Sequence, residues 1–311
     1  MIRSMFERRK PPGPSAADPD LLRRVRQLEV RTRGLVESLF SGEYVSIFHG
    51  RGLEFSHVRG YEVGDDVRSI DWKVTARRGS PYVRQFVEER DLLVVLMVDV
   101  SASGRFGPGE RSAGEVAAEI AAAICFAATR NNDRLALLLV SDAVEAFIPP
   151  GSGRNHTVRL LTELLSHRPR RRSTDLAAGF ERIVKSVPPR ATVFVISDFI
   201  QDQKAPGFRA TLGRAAQMHD VVAIRLASAA TADLPDVGWV EITDPESRQR
   251  RVVDSGSRRV RDRFRHGVQR LQAEMAEILT QAGVELVEVA TTADPLVVLG
   301  EFFRRRQRVT R

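Results

Sequence analysis

Cysteine is nearly absent. Cys125 is the one cysteine among 311 residues, which excludes an internal disulfide framework and any zinc cluster built on cysteine. Long apolar runs are missing too: Leu92–Val98 falls far short of the ~18–20 residues a membrane span needs. Met1–Lys10 is charged and no apolar stretch follows, so no signal peptide is read. Lysine is scarce, and none of Lys10, Lys73, Lys185 or Lys204 follows a glycine, so the chain carries no phosphate-binding P-loop. The histidines, at 49, 57, 156, 167, 219 and 266, lack a His-x-x-x-His ligand spacing. Gly50-Arg51-Gly52 and Gly151-Ser152-Gly153 are turns, too short for a dinucleotide fingerprint. Val100–Gly104 is not a Gly-x-Ser-x-Gly nucleophile elbow, since Asp99 and Ser101 stand in its leading positions. Cys125 sits on an apolar helix and reads as a small core residue. The expectation is a soluble, cytoplasmic protein.

The net charge of +8 is unevenly placed. Residues 1–33 hold nine basic and four acidic side chains, and residues 301–311 hold five and one. The other 267 residues therefore carry 34 basic and 35 acidic groups, a near-neutral body with basic ends. Such ends either solubilise the chain or touch nucleic acid or an acidic partner.

Residues 7–20 are rich in proline and charge and read as a leader. Asp20 stands where it caps a helix running from Leu21 to about Phe40. Ser41–Pro81 then reads as a long irregular stretch, which in a compact chain is usually functional or misread. From Asp91 the pattern changes. Leu92–Val98, Arg134–Val140, Thr192–Ile196, Val221–Leu226 and Val284–Val289 read as strands, with Val144–Ile148 paired beside the second. Helices are predicted over Ser112–Arg130, Asn155–Leu165, Asp175–Val187, Thr211–His219 and Pro295–Arg305. Another is predicted over Val260–Gln281, with Phe264, Val268, Leu271, Met275, Ile278 and Leu279 on its apolar face. This alternation predicts a doubly wound, mostly parallel α/β sheet over 91–305. Residues 1–20 form its leader, 21–90 an N-terminal helix plus an irregular or β segment, and 306–311 a basic tail. No fixed-period repeat occurs, which excludes a solenoid.

Two of these strands end in aspartate, at the edge where open α/β sheets place ligands. The first gives Asp99-Val100-Ser101-Ala102-Ser103. The second ends in Ser197-Asp198, and Thr174 stands just before a helix. Asp99, Ser101, Ser103, Thr174 and Asp198 form a hard-oxygen set suited to one Mg²⁺ or Mn²⁺ ion. The local alternative is that the hydroxyls cap helices or turns and the aspartates form strand-end turns. Arg170, Arg171 and Arg172 precede Thr174, and cations there would oppose a metal. The arrangement resembles the metal-ion-dependent adhesion site of the von Willebrand factor A fold, in which a partner's carboxylate commonly completes the metal shell.

A second group of motifs lies in the irregular stretch. It comprises Gly52-Leu53-Glu54-Phe55, Val58-Arg59-Gly60-Tyr61, Gly64-Asp65-Asp66-Val67-Arg68, Ile70-Asp71-Trp72, Ala76-Arg77 and Tyr82-Val83. With Thr243-Asp244-Pro245-Glu246, Gly283-Val284 and Phe302-Phe303, it resembles the signature of the domain of unknown function 58 family over roughly residues 40–305. The resemblance implies a non-enzymatic bacterial adaptor for a MoxR-type AAA+ ATPase, acting in chaperone-like remodelling or metal-centre maturation. Many members of that family carry two N-terminal membrane helices, and this chain resembles the shorter soluble form.

Arg59, Tyr61, Gly64, Asp65, Asp66, Arg68, Asp71, Trp72 and Arg77 are the residues of this block singled out for partner binding. The alternative is a salt-bridge lattice of Asp65, Asp66 and Asp71 with Arg59, Arg68, Arg77 and Arg78. Trp72 reads first as a packing anchor and second as an interface anchor. Two other functions compete with the adaptor. One is a metal-dependent phosphoesterase or nuclease using the clustered aspartates. The other is nucleic-acid binding by the arginine-rich ends.

Overall fold

The computed structural model describes residues 18–40, 53–62, 65–88, 92–102, 111–169, 171, 173–200, 207–228, 233–243 and 249–309. The centre is a six-stranded sheet. Its strands are β3 (Leu93–Asp99), β4 (Arg134–Val140), β5 (Val144–Gly151), β6 (Thr192–Ser197), β7 (Asp220–Ala227) and β10 (Glu285–Ala290), ordered β10-β7-β6-β3-β4-β5. All neighbouring pairs are parallel except β4–β5. Central strands of a parallel sheet are covered on both faces and read as unbroken apolar runs. Val94 to Val98 and Val193 to Ile196 accordingly have 1% exposure or less.

The two faces bury different helices. On one lie α1 (Pro19–Phe40), α3 (Ala113–Arg130), α4 (Arg154–Ser166) and α8 (Pro295–Val309), packed against Val94, Leu96, Val98, Leu137 and Phe194. On the other lie α5 (Leu176–Ser186), α6 (Phe208–Met218) and the C-terminal half of α7 (Arg258–Gln281), packed against Val95, Met97, Leu138 and Val195. Helix α3 is alanine-rich because it is buried from Val116 to Ala128, and small side chains let its backbone approach the sheet. A reciprocal Ser112–Glu115 capping box starts it. Helix α5 approaches as closely through Gly179, where a Cβ atom would stand 2.7 Å from Met97 Sδ and 2.9 Å from Val140 Cγ1.

The sheet strands and main helices lie where the hydrophobic pattern puts them. Three features do not. Part of the stretch expected to be irregular is ordered. It contains β1 (Leu53–Gly60), a 3-10 turn (Val67–Ser69), α2 (Trp72–Arg78) and, just beyond, β2 (Tyr82–Glu88), with β1 and β2 paired antiparallel. Helix α2 is seven residues long, too short to show a helical period, and the two strands pair across the helix between them. A second two-stranded ribbon, β8 (Trp239–Thr243) with β9 (Arg250–Asp254), has no counterpart in the sequence pattern. Its five-residue strands hold no fully buried side chain, so they lack the apolar run that marks the sheet strands. Finally, Leu271 is 45% exposed although its spacing places it on the apolar face of α7. Met275, Ile278 and Leu279 of that helix are buried. Among the described residues no helix is long and apolar enough to cross a membrane.

Candidate metal centre

The parallel register sets Val98 of β3 level with Ile196 of β6. Asp99 and Ser197 therefore reach the C-terminal edge side by side, with Asp198 one residue further out. Ser197 Oγ donates to Asp99 Oδ2 at 2.7 Å, and the Ser101 backbone N–H donates to Asp99 Oδ1 at 2.9 Å. Ser101 and Ser197 are both buried. The Phe199 N–H donates to Ser197 Oγ at 3.0 Å, and the Ile200 N–H donates to Asp198 Oδ1 at 2.9 Å. The turn behind Asp198 is strained: buried Phe199 has φ +54°, a left-handed conformation that β-carbon sterics disfavour.

Asp99 is in an unfavourable place for a charge. Burial, then the like charge of Asp198, push its pKa up to about 6, against the opposing effect of the Ser197 and Ser101 hydrogen bonds. Thr174 is drawn to the same edge. Asp175 caps α5 by accepting from the Ala177 N–H at 2.9 Å, and its own N–H donates to the Ser141 carbonyl at 2.8 Å. Ser141 follows Val140, the register partner of Asp99. Ser103, the remaining expected ligand, lies outside the described residues, as do Arg170 and Arg172. Arg171 is turned to the β4–β5 corner: its Nη1 is 3.3 Å from Asp142 Oδ1 and its N–H donates to Glu145 Oε1 at 3.1 Å. A cleft of about 290 Å³ opens beside the edge, lined by Asp99, Ser101, Ser112, Glu115, His167 and Arg24.

Both local and ligand readings thus find a basis in the same atoms. Asp99 and Asp198 do form strand-end turns, yet their carboxylates also repel each other in a partly dry site. The Asp99 and Asp198 carboxylates and the Ser101 hydroxyl stand at this edge with Thr174 next to its Ser141-bonded neighbour Asp175, and oxygen donors are the class that suits Mg²⁺ or Mn²⁺. Among the described residues no group of three or more His, Cys, Asp or Glu side chains is arranged to hold a metal. Ser197 is a site residue that sequence reasoning misses. The signal is its place one residue before Asp198, which puts it level with Asp99 once the strands pair.

The second block is built differently. Arg59 grips Asp65 with both Nη atoms, at 2.8 and 2.7 Å. The Glu62 N–H donates to Asp65 Oδ2 at 2.8 Å. The hydrogen bond from Arg59, then that backbone bond, hold the Asp65 carboxyl below the usual carboxylate range. Asp71 caps α2, accepting from the Lys73 and Val74 N–H groups. The Asp66 carbonyl accepts from the Ser69 side chain at 2.6 Å. The half-buried Tyr61 is tied by its N–H to the Pro81 carbonyl at 2.9 Å. Arg68 lies in the 3-10 turn, Arg77 is exposed on α2, and Gly64 lies outside the described residues. Trp72 is not a packing anchor: it is 65% exposed, because α2 carries it on the face turned away from β2.

The model of the family described as "Protein of unknown function DUF58" matches residues 57–274. The chain belongs to this family. The match takes in both the α2 segment and the Asp99–Asp198 edge. Uncharacterized proteins of Mycobacterium tuberculosis and Mycobacterium bovis are each 31% identical over 293 residues, covering 94% of this chain and 91% of the relative. Among solved structures, an aerotolerance-related membrane protein from Bacteroides fragilis has a TM-score of 0.50 at 14% identity, covering 70% of this chain and 99% of that one. A von Willebrand factor type A protein from Catenulispora acidiphila has a TM-score of 0.41 at 10% identity, covering 74% and 45%. The DUF58 chain has a mixed α/β fold, a six-stranded and mostly parallel central sheet flanked by helices.

Proposed function

We propose that this DUF58 protein is a non-enzymatic, metal-dependent adaptor, with a MoxR-type AAA+ ATPase as its partner. The observation that carries the reading is the pairing of Asp99 with Asp198: two carboxylates share a partly buried sheet edge, and the nearer one is held against ionisation. A divalent cation removes that conflict and supplies a Lewis-acidic point to which a partner's oxygen can bind. Asp99 and Asp198 would hold it, with the hydroxyls of Ser101, Ser103 and Thr174 directly or through water. Ser197 fixes the Asp99 carboxyl from below and is a positioning residue.

The test is titration calorimetry of the full chain with MgCl₂ and with MnCl₂, beside a capture experiment with a purified MoxR-type ATPase. Saturable binding by the wild type, loss in Asp99→Ala, and capture only by metal-loaded wild type are expected. Absence of ion binding would overturn the metal site. Equal capture by Asp99→Ala would move the partner surface elsewhere. Metal-dependent turnover of a phosphoester, lost in Asp198→Ala, would replace the adaptor with an enzyme.

A further inference from the structure

The α2 segment carries a surface that the metal-edge reading does not use. From Trp72 to Val87 the chain holds Lys73, Arg77, Arg78 and Arg84 and no acidic residue at all. Helix α2 is nonetheless rigidly mounted. Asp71 caps its start, Gly79 at φ +74° closes its end, and the Thr75 hydroxyl accepts from the Tyr82 N–H at 3.0 Å. The Asp71 N–H donates to the Tyr82 carbonyl at 2.8 Å, and Ile70 bridges to buried Val83. Val74 and Thr75 thereby face inward, half-buried, while Trp72, Lys73, Ala76 and Arg77 face outward. Trp72 is 65% exposed on this face, and Val67 in the preceding 3-10 turn is 58% exposed. Arg78 lies over the Tyr82 ring at 5.2 Å from its centre.

An exposed tryptophan and exposed cations on one short helix are the composition of an interface hot spot, where a flat aromatic supplies area and the cations supply direction. Helix α2 itself contains no carboxylate, and the nearest in sequence, Asp71, caps its start. We infer that the outward face of α2 is a docking site for an acidic segment of a partner protein, independent of any divalent ion. Complementarity of charge fixes the sign of the partner, and the exposed Trp72 ring offers a surface for the methylenes of its acidic side chains. A nucleic acid fits less well. Its phosphates need a track of cations, whereas a seven-residue helix offers a single compact cluster. This inference does not depend on the metal site.

A Trp239→Phe variant leaves Trp72 as the sole tryptophan, so its emission reports on α2 alone. The measurement is a titration of this variant with a 20-residue poly-glutamate peptide in chelator, with poly-lysine and a 20-nucleotide single-stranded DNA as comparisons. A saturable blue shift with poly-glutamate is expected. Its affinity should fall about tenfold or more in Lys73→Glu/Arg77→Glu and weaken steeply with salt. Unchanged melting and circular dichroism of the double variant would show that folding is intact. A poly-glutamate titration without a saturable shift, or one the double variant does not alter, would overturn the inference. Tighter binding of the DNA would replace the acidic protein with a nucleic acid.

Discussion

Asp99 and Asp65 are both carboxylates in polar clusters of the same chain, and their surroundings push them in opposite directions. Asp99 faces another carboxylate at the buried end of two strands, and its pKa rises to about 6. Asp65 faces a guanidinium that grips both its oxygens, and its pKa falls. The Arg59–Asp65 pair is complete within the chain, and what it does is hold a turn. The Asp99–Asp198 pair sets like charges together at a buried edge, an arrangement that protonation of Asp99 relieves. A paired charge signals construction, and an electrostatic conflict in a cleft is the better mark of a binding site.

The strongest way to break this contrast is to remove the conflict. In metal-free protein Asp99 binds a proton more tightly when folded, so its contribution to stability is lost as pH rises from about 4 to about 6. Asp99→Asn keeps the hydrogen-bonding shape without the charge. It should stabilise the metal-free protein above pH 7 by at most about 3 kcal/mol, since each tenfold gain in proton affinity on folding corresponds to about 1.4 kcal/mol. It should also flatten the acid side of the stability profile, measured by urea denaturation at about pH 5 and about pH 7.5. Added Mg²⁺ should stabilise wild type and not the variant. A variant less stable than wild type at both values would show that the carboxylate charge is satisfied within the fold.

A smaller effect follows from Ser197→Ala, which deprives the Phe199 N–H and Asp99 Oδ2 of their partner. The expected loss is about 1–2 kcal/mol, read as a lower denaturation midpoint, since a buried donor is left unsatisfied. Ion affinity should fall as well, because Asp99 loses its positioning bond. On the other side of the contrast, Asp65→Asn should lower the global melting temperature only slightly, for the pair is half-buried and keeps contact with solvent. Its signature is local: amide exchange at Tyr61 and Glu62 quickens, and the wild type approaches the variant as acid protonates Asp65. The smallest effect belongs to Trp72→Ala, which should change stability by less than about 0.5 kcal/mol because the side chain is exposed. A larger destabilisation would restore Trp72 to a packing role.

The sheet is legible in the sequence because strands buried on both faces leave short apolar runs of valine, leucine and isoleucine, distinct from the alanine-rich apolar run of α3. Leu92–Val98 and Thr192–Ile196 are such runs, and the aspartates that end them mark the sheet edge. The α2 segment and the β8–β9 ribbon are hidden for the opposite reason. They are short, largely exposed and held by backbone pairing and caps, and these leave little hydrophobic pattern. The role of Ser197 is also out of view, since it emerges only when the register sets it beside Asp99. Trp72 misleads because tryptophan is usually at least partly buried, and only the orientation of α2 shows that this one is not.

The hydrogen bond from Ser197 to Asp99 spans 98 positions of the chain. The edge is not whole until β6 has been synthesised and has lodged between β3 and β7. On the ribosome, a chain interrupted before Ser197 has β3 and β4 available for pairing yet presents only half of the edge for an ion or partner to read. Any ligand that needs both aspartates thereby distinguishes finished protein from truncated protein, a discrimination written into strand order alone. The same property makes the edge a conformational reporter. Cutting the chain between α3 and β6, and mixing the two fragments, would regenerate the Ser197–Asp99 hydrogen bond only to the extent that the two strands find each other again.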